Sequence, residues 1–291
     1  MKSYLALAWK ELKAQKITAI LILVAVIMST IMTTVIGQSI GILQSMRIQQ
    51  AAGLNGNRYA TFHQLGKEQA QKLHEDDRLY DVGDTIFIGS TPLGNSSLSL
   101  YLREYHDNAL SMYPAIGNVK EGRLPEEAIE IALSEDALQY LGLDAVSLDL
   151  SVSVMDGSLS ELEYSADFVL TGILESSYIG YASGTVEGIV GEGTAEELLP
   201  EEYLLYSTDF KTYDKQNFQS IIYALAEDLN VDERYIQYNW VLLDAIGISY
   251  DEAADSDTGT GFSFMTAACI LVGVLVLLAA GLVIYNILKI S

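Results

Sequence analysis

The run Ile17 to Met46, ITAILILVAVIMSTIMTTVIGQSIGILQSM, decides how the rest of the chain is read. It holds 30 residues without a charge, where about 20 suffice for a helix to cross about 30 Å of hydrocarbon. A second uncharged run of 31 residues, Thr258 to Leu288, contains FSFMTAACILVGVLVLLAAGLVIYNIL. Buried helices of soluble proteins carry apolar runs of about 10 to 14 residues. Two runs this long at opposite ends of a 291-residue chain therefore read as two membrane spans.

Working outward, charge sets the orientation. Lys2, Lys10, Lys13 and Lys16 precede the first run with one acid, Glu11, and Lys289 follows the second. The loop between them keeps 11 basic and 38 acidic residues, a net of −27. Basic residues stay on the cytoplasmic side, so both termini are expected inside the cell and the acidic loop outside, in a multi-pass protein of the plasma membrane. The whole chain has 16 basic and 39 acidic residues, a charge of −23, which excludes nucleic acid as a main partner because nothing would grip the phosphates. A mean hydropathy of +0.23 beside so much acid confirms that the two properties belong to different segments. The first run also has the basic start of a signal peptide, but it exceeds the usual core of about 7 to 15 residues and no A-x-A pattern follows it, so it reads as an uncleaved anchor. The expected layout is a cytoplasmic amphipathic helix over 1–16, a first span and start of a stalk over 17–43, an external domain over 44–258, a second span over 259–288 and a cytoplasmic end at 289–291.

Tyr4, Leu5, Ala8, Trp9 and Leu12 recur at helical spacing opposite Lys10 and Lys13, the pattern of a helix lying on the inner membrane surface. Within the first span Ser29, Thr33, Gly37 and Gly41 fall four apart, and Cys269 and Gly273 form a shorter pair in the second. Such stripes of small residues let helix backbones approach closely, and these six positions are the candidates for helix packing. Neither span holds an ionisable group, which argues against an ion carrier. Cys269 is the single cysteine, so the external domain contains no disulfide and must be held by its own core.

The external loop has the pattern of an α+β domain. Strands are expected at Arg58–Leu65, Asp84–Ser90, Ser97–Tyr105, Ser147–Met155 and Asp167–Leu174. Helices are expected at Gly66–Asp76, at Ser134–Gly142, where an N-cap Ser, early acids and a closing Gly punctuate the segment, and at Asn217–Leu229. Gly180 to Glu197 holds five glycines and reads as a mobile loop or hairpin.

Catalytic chemistry is thin. His63, His74 and His106 are scattered, with no H-E-x-x-H and no paired cysteines, so they read as surface residues and no metal site is expected. The glycine run lacks the G-K-[ST] ending of a phosphate loop. DSDTGTG, Asp255 to Gly261, lacks the Glu at the twelfth place of a calcium loop, where Thr266 stands, and reads as a flexible acidic joint. The pairs Glu126 and Glu127, Glu196 and Glu197, and Glu201 and Glu202 read as solvated charge. No nucleophile and base pair stands out, so no catalytic residue, cofactor or enzymatic activity is expected.

YLALAWKELKAQKITAILILVAVIMST, GRLPEEAIEIALSEDALQYLG (Gly122 to Gly142), DFVLTGIL, YNWVLLDAIGIS (Tyr238 to Ser249) and GFSFMTAACILVGVLVLLAAGLVIYNILKIS together resemble the permease subunits of MacB/FtsX-type ABC transporters. The most specific piece is G-R-L-P-x-x-x-x-E-I-x-L-S, which resembles the point where the external core domain of that family passes from its first subdomain to its second. The resemblance implies an external domain of two subdomains between two transmembrane helices. It also implies a second permease copy, a cytoplasmic ATPase that hydrolyses ATP, and stalks over about Gln38–Gln50 and Tyr250–Gly261 that carry movement to the external domain. That domain would handle a peptide, a lipoprotein or a cell-wall partner, and its charge would favour a cationic peptide. Such permeases continue into a coupling helix and further spans, whereas this sequence stops at Ser291, leaving a fragment, a split subunit and a degenerate copy open. The alternative is a membrane-tethered binding or sensor module without an ATPase.

Overall fold

A computed structural model describes residues 16–93, 96–142, 147–155, 161–176 and 184–250, together with 270–271, 273–278, 281 and 285. The amphipathic start, the acidic joint, Cys269 and most of the second apolar run lie outside the described residues. The chain divides into two compact units, one made of Met1–Arg47 with Ala254–Ser291 and one of Ile48–Ala253.

Helix α1 (Lys16–Asn55) runs for 40 residues. In its first-unit part Ile17, Ile20, Leu23, Ile27, Ile31 and Val35 are all exposed. Its hydroxyls turn inward to their own backbone: Thr30 Oγ1 donates to Val26 O at 2.8 Å, Thr34 to Thr30 O at 2.9 Å and Ser39 to Val35 O at 2.8 Å. Taken over the described residues, which omit several side chains of α1, no helix is long and apolar enough to cross a membrane. The two spans are thus unconfirmed as structure. A Cβ built at Gly41 or Gly273 meets no atom within 4 Å. Ser29 is half-buried, and the surroundings of Thr33 and Gly37 lie outside the described set.

The second unit is built on one ten-stranded sheet. In chain order the strands are β1 (Ala60–Leu65), β2 (Leu79–Pro92), β3 (Ser99–Tyr105), β4 (Val119–Gly122), β5 (Glu130–Ser134), β6 (Ser147–Met155), β7 (Glu161–Leu174), β8 (Thr185–Val190), β9 (Tyr206–Thr212) and β10 (Ile236–Tyr238). Across the sheet they lie β10-β1-β9-β2-β3-β8-β5-β7-β4, with β6 paired to β7 and β2. The β3–β8 and β5–β7 pairs are parallel and the others antiparallel. The helices are α2 (Lys67–His74), α3 (Glu135–Leu141), α4 (Thr194–Leu198), α5 (Phe218–Leu229) and α6 (Trp240–Ile246). This is the α+β class read from the sequence. Ile48–Ala253 is one unit on one sheet, in which β8 pairs with β3 on one side and β5 on the other.

The core follows from period-two burial in the strands and a helical stripe above them. Along β3, Leu100, Leu102 and Glu104 are buried while Tyr101, Arg103 and Tyr105 are less so. In α5, Phe218, Ile222, Leu225, Ala226 and Leu229 are buried at helical spacing. Phe62 and Phe210 meet edge to face at 5.1 Å across β1 and β9. α3 is punctuated as its sequence requires: Ser134 Oγ accepts from Ala137 N, and Gly142 closes the helix in the left-handed conformation at φ 68°.

The glycine-rich stretch departs most from its sequence reading. Over its described residues it is a buried strand, β8, followed by α4. Its glycines serve close approach. A Cβ at Gly188 would stand 2.8 Å from Leu102 Cδ2 and 3.0 Å from Leu133 Cδ2, and one at Gly191 would stand 1.8 Å from Glu127 O.

Candidate cleft on the sheet

Strand register assembles a cleft of about 430 Å³ in the second unit. Tyr206 on β9, Ile86 on β2 and Glu104 on β3 are register partners and form a row across its floor. Thr208 and Asp84 form the next row. One wall is α2, which contributes Lys67, Ala70, Gln71 and His74, and the other is the turn after β8, with Glu192 and Gly193, and α4, with Glu196. His106 and Asp107, just past β3, close the end. Lys67 Nζ pairs with Glu196 Oε1 at 2.9 Å, both exposed, linking α2 to α4.

Most of the polar atoms here are held. Asp84 is buried; its Oδ1 accepts from Thr208 Oγ1 at 2.5 Å and its Oδ2 lies 3.0 Å from His74 Nε2. Asp107 Oδ2 lies 3.8 Å from the same nitrogen. Glu104, 1% exposed, accepts from Gly193 N at 2.8 Å and Ala195 N at 2.6 Å, so a buried carboxylate caps the first turn of α4. His106 Nε2 approaches Glu104 Oε1 to 2.8 Å outside hydrogen-bond alignment, and its Nδ1 lies 3.4 Å from Glu192 Oε1.

The electrostatics follow. The hydrogen bond with Asp84 lifts His74 above the usual imidazole range against partial burial, with the charges of Asp84 and Asp107 adding to it and that of His106 opposing. Burial alone would lower His106, but close contact with Glu104 and Glu192 outweighs it and the net shift is upward. The carboxylates beside them thus shift both rings toward the cationic form, in a cleft lined by Asp84, Glu104, Asp107, Glu192 and Glu196.

His63 belongs elsewhere, beside Ser207 at 2.9 Å and Gln237 at 3.1 Å, with burial pulling its pKa down. On that side of the sheet Arg58 Nε lies 3.0 Å from Asp209 Oδ1, and Asp209 also accepts from Thr61 Oγ1 at 2.5 Å and Tyr113 Oη at 2.7 Å. Burial is the largest influence on Asp209 and raises its pKa.

Of the sequence candidates, His74 and His106 are brought to one cleft and His63 is not. The helix-packing positions lie in the first unit or outside the described residues. Glu196 lines the cleft, while Glu126, Glu127, Glu201 and Glu202 do not. Asp84, Glu104, Asp107 and Glu192 were not singled out by sequence. Burial of Glu104 was signalled only by the alternation that places it in phase with Leu100 and Leu102.

The specific G-R-L-P segment proves to be a clasp. Arg123 Nη1 donates to Glu130 Oε2 at 2.8 Å and Arg123 Nη2 to Glu130 Oε1 at 2.5 Å, while the N–H groups of Glu126 and Glu127 donate to Glu130 Oε2 at 2.9 and 3.1 Å. Gly122 adopts φ 80°, and a Cβ there would stand 2.3 Å from Thr171 O.

No family model matches the chain, and no curated protein matches it. Among solved structures it is similar to the periplasmic region of MacB from Actinobacillus actinomycetemcomitans, at 15% identity and a TM-score of 0.40, over 68% of this chain and 95% of that one. The three comparisons leave the family unassigned.

Proposed function

We propose that the chain is a permease subunit of an ABC transporter of the MacB/FtsX type, anchored in the plasma membrane by two spans with both termini cytoplasmic. A partner ATPase hydrolyses ATP inside the cell, and the movement passes to the external unit, which handles a peptide, lipoprotein or cell-wall partner. The observation that carries this reading is the layout: a self-contained α+β unit, Ile48–Ala253, flanked on both sides by uncharged runs of 30 and 31 residues. The first run lies within the 40-residue helix α1, and the reading of both runs as spans rests on their uncharged length in the sequence. Hydroxyls bonded to their own helix backbone suit that setting, since lipid offers no other partner. The net charge of −27 on the intervening loop favours a cationic substrate such as a peptide.

The reading is tested by cross-linking the tagged chain in membranes of its native host and identifying what is joined to it. An ATPase bearing a Walker A motif and a second permease copy are expected. A chain that is membrane-bound but joined to no ATPase would instead be the tethered binding or sensor module.

A further inference from the structure

We propose that His74 Nε2, Asp84 Oδ2 and Asp107 Oδ2 form a binding site for a divalent transition-metal ion of the zinc class at the end of the cleft. One ligand atom from each of the three residues lies within 4.8 Å of the others, and His74 Nε2 stands 3.0 Å from Asp84 Oδ2 and 3.8 Å from Asp107 Oδ2. Ligand atoms about a tetrahedral ion at about 2.0–2.2 Å stand about 3.3–3.6 Å apart, so the triad needs only a small adjustment. Asp107, with its side chain 62% exposed, is free to make it.

The chemistry of the set selects the ion. One imidazole and two carboxylates suit zinc-like ions, whereas calcium takes six to eight oxygens. Two carboxylates also neutralise the charge of the ion. Asp84 is already oriented from behind, because Thr208 Oγ1 holds its other oxygen at 2.5 Å, the outer support that metal-ligating carboxylates need. All three residues line the cleft, as do His106 and Glu192, so the fourth position is left to a cleft ligand or water. The cleft's other cation, Lys67, is already paired with Glu196. To ligate, His74 Nε2 must be free of a proton, and any proton it carries toward Asp84 leaves to solvent on binding. The inference stands apart from the permease reading, and either can fail without the other.

The test is calorimetric titration of zinc into the full chain in detergent micelles after chelator treatment. One equivalent is expected to bind. His74→Gln and Asp107→Asn should each weaken it about tenfold or more, while Glu202→Gln, outside the cleft, should leave it unchanged. X-ray absorption should show a nitrogen and oxygen shell at about 2.0–2.2 Å with no sulfur. Absence of stoichiometric binding, equal affinity in both cleft variants, or a sulfur ligand pointing to Cys269 would overturn the site. Should His74→Gln fail to fold, the exposed Asp107→Asn decides alone.

Discussion

Glu130 shows how much one side chain can organise. It holds both terminal nitrogens of Arg123 and two backbone N–H groups, and these contacts, led by Arg123, lower its pKa to about 2 from an ordinary 4.5. A carboxylate with a depressed folded-state pKa contributes stability that is present above the unfolded value and lost as pH falls through the folded one. The melting temperature of Glu130→Gln should therefore lie below that of the unaltered chain above about pH 4.5, and the gap should close as pH falls toward about 2. A gap that stays constant over that range would mean the clasp contributes nothing through its charge. The motif that carried the family resemblance is thus a folding device at the entry to β5. Its Arg and Glu are seven apart because the loop between them turns back on itself.

At the scale of elements, the glycines of β8 and the turn after it make the sharpest prediction. Gly191→Ala drives a methyl group into the carbonyl of Glu127, where backbone rather than a flexible side chain must yield. It should cost at least about 1–3 kcal/mol by denaturant titration. Gly53→Ala, inside α1 with nothing within 4 Å of the new methyl, should instead stabilise by about 0.5–1 kcal/mol. Equal effects would contradict the packing described for Gly191. Elements whose local pattern agrees with their environment were legible: Ser147–Met155 is a strand over the expected residues, α3 starts and stops at its caps, and α5 follows its apolar stripe. β8 was not, because glycine reads as freedom in sequence whether it serves mobility or close contact. The cleft was not legible either. His74, Asp84, Asp107 and Glu192 come from α2, β2, the turn after β3 and the turn after β8, and only the order β9-β2-β3-β8 brings them together.

At the scale of the whole molecule, the proposed function puts the acidic α+β unit outside the cell, between two segments proposed to span the membrane. The net charge of −27 on the loop and the lysines before and after the runs are the sequence signals from which that orientation is proposed. Impermeant thiol labelling of intact cells tests it most directly, with Cys269 replaced by Ser so that each variant carries a single thiol. Glu202→Cys, an exposed position of the second unit, should react on intact cells, and Ser3→Cys should react only after lysis. Labelling of Ser3→Cys on intact cells, with Glu202→Cys protected until lysis, would contradict the account.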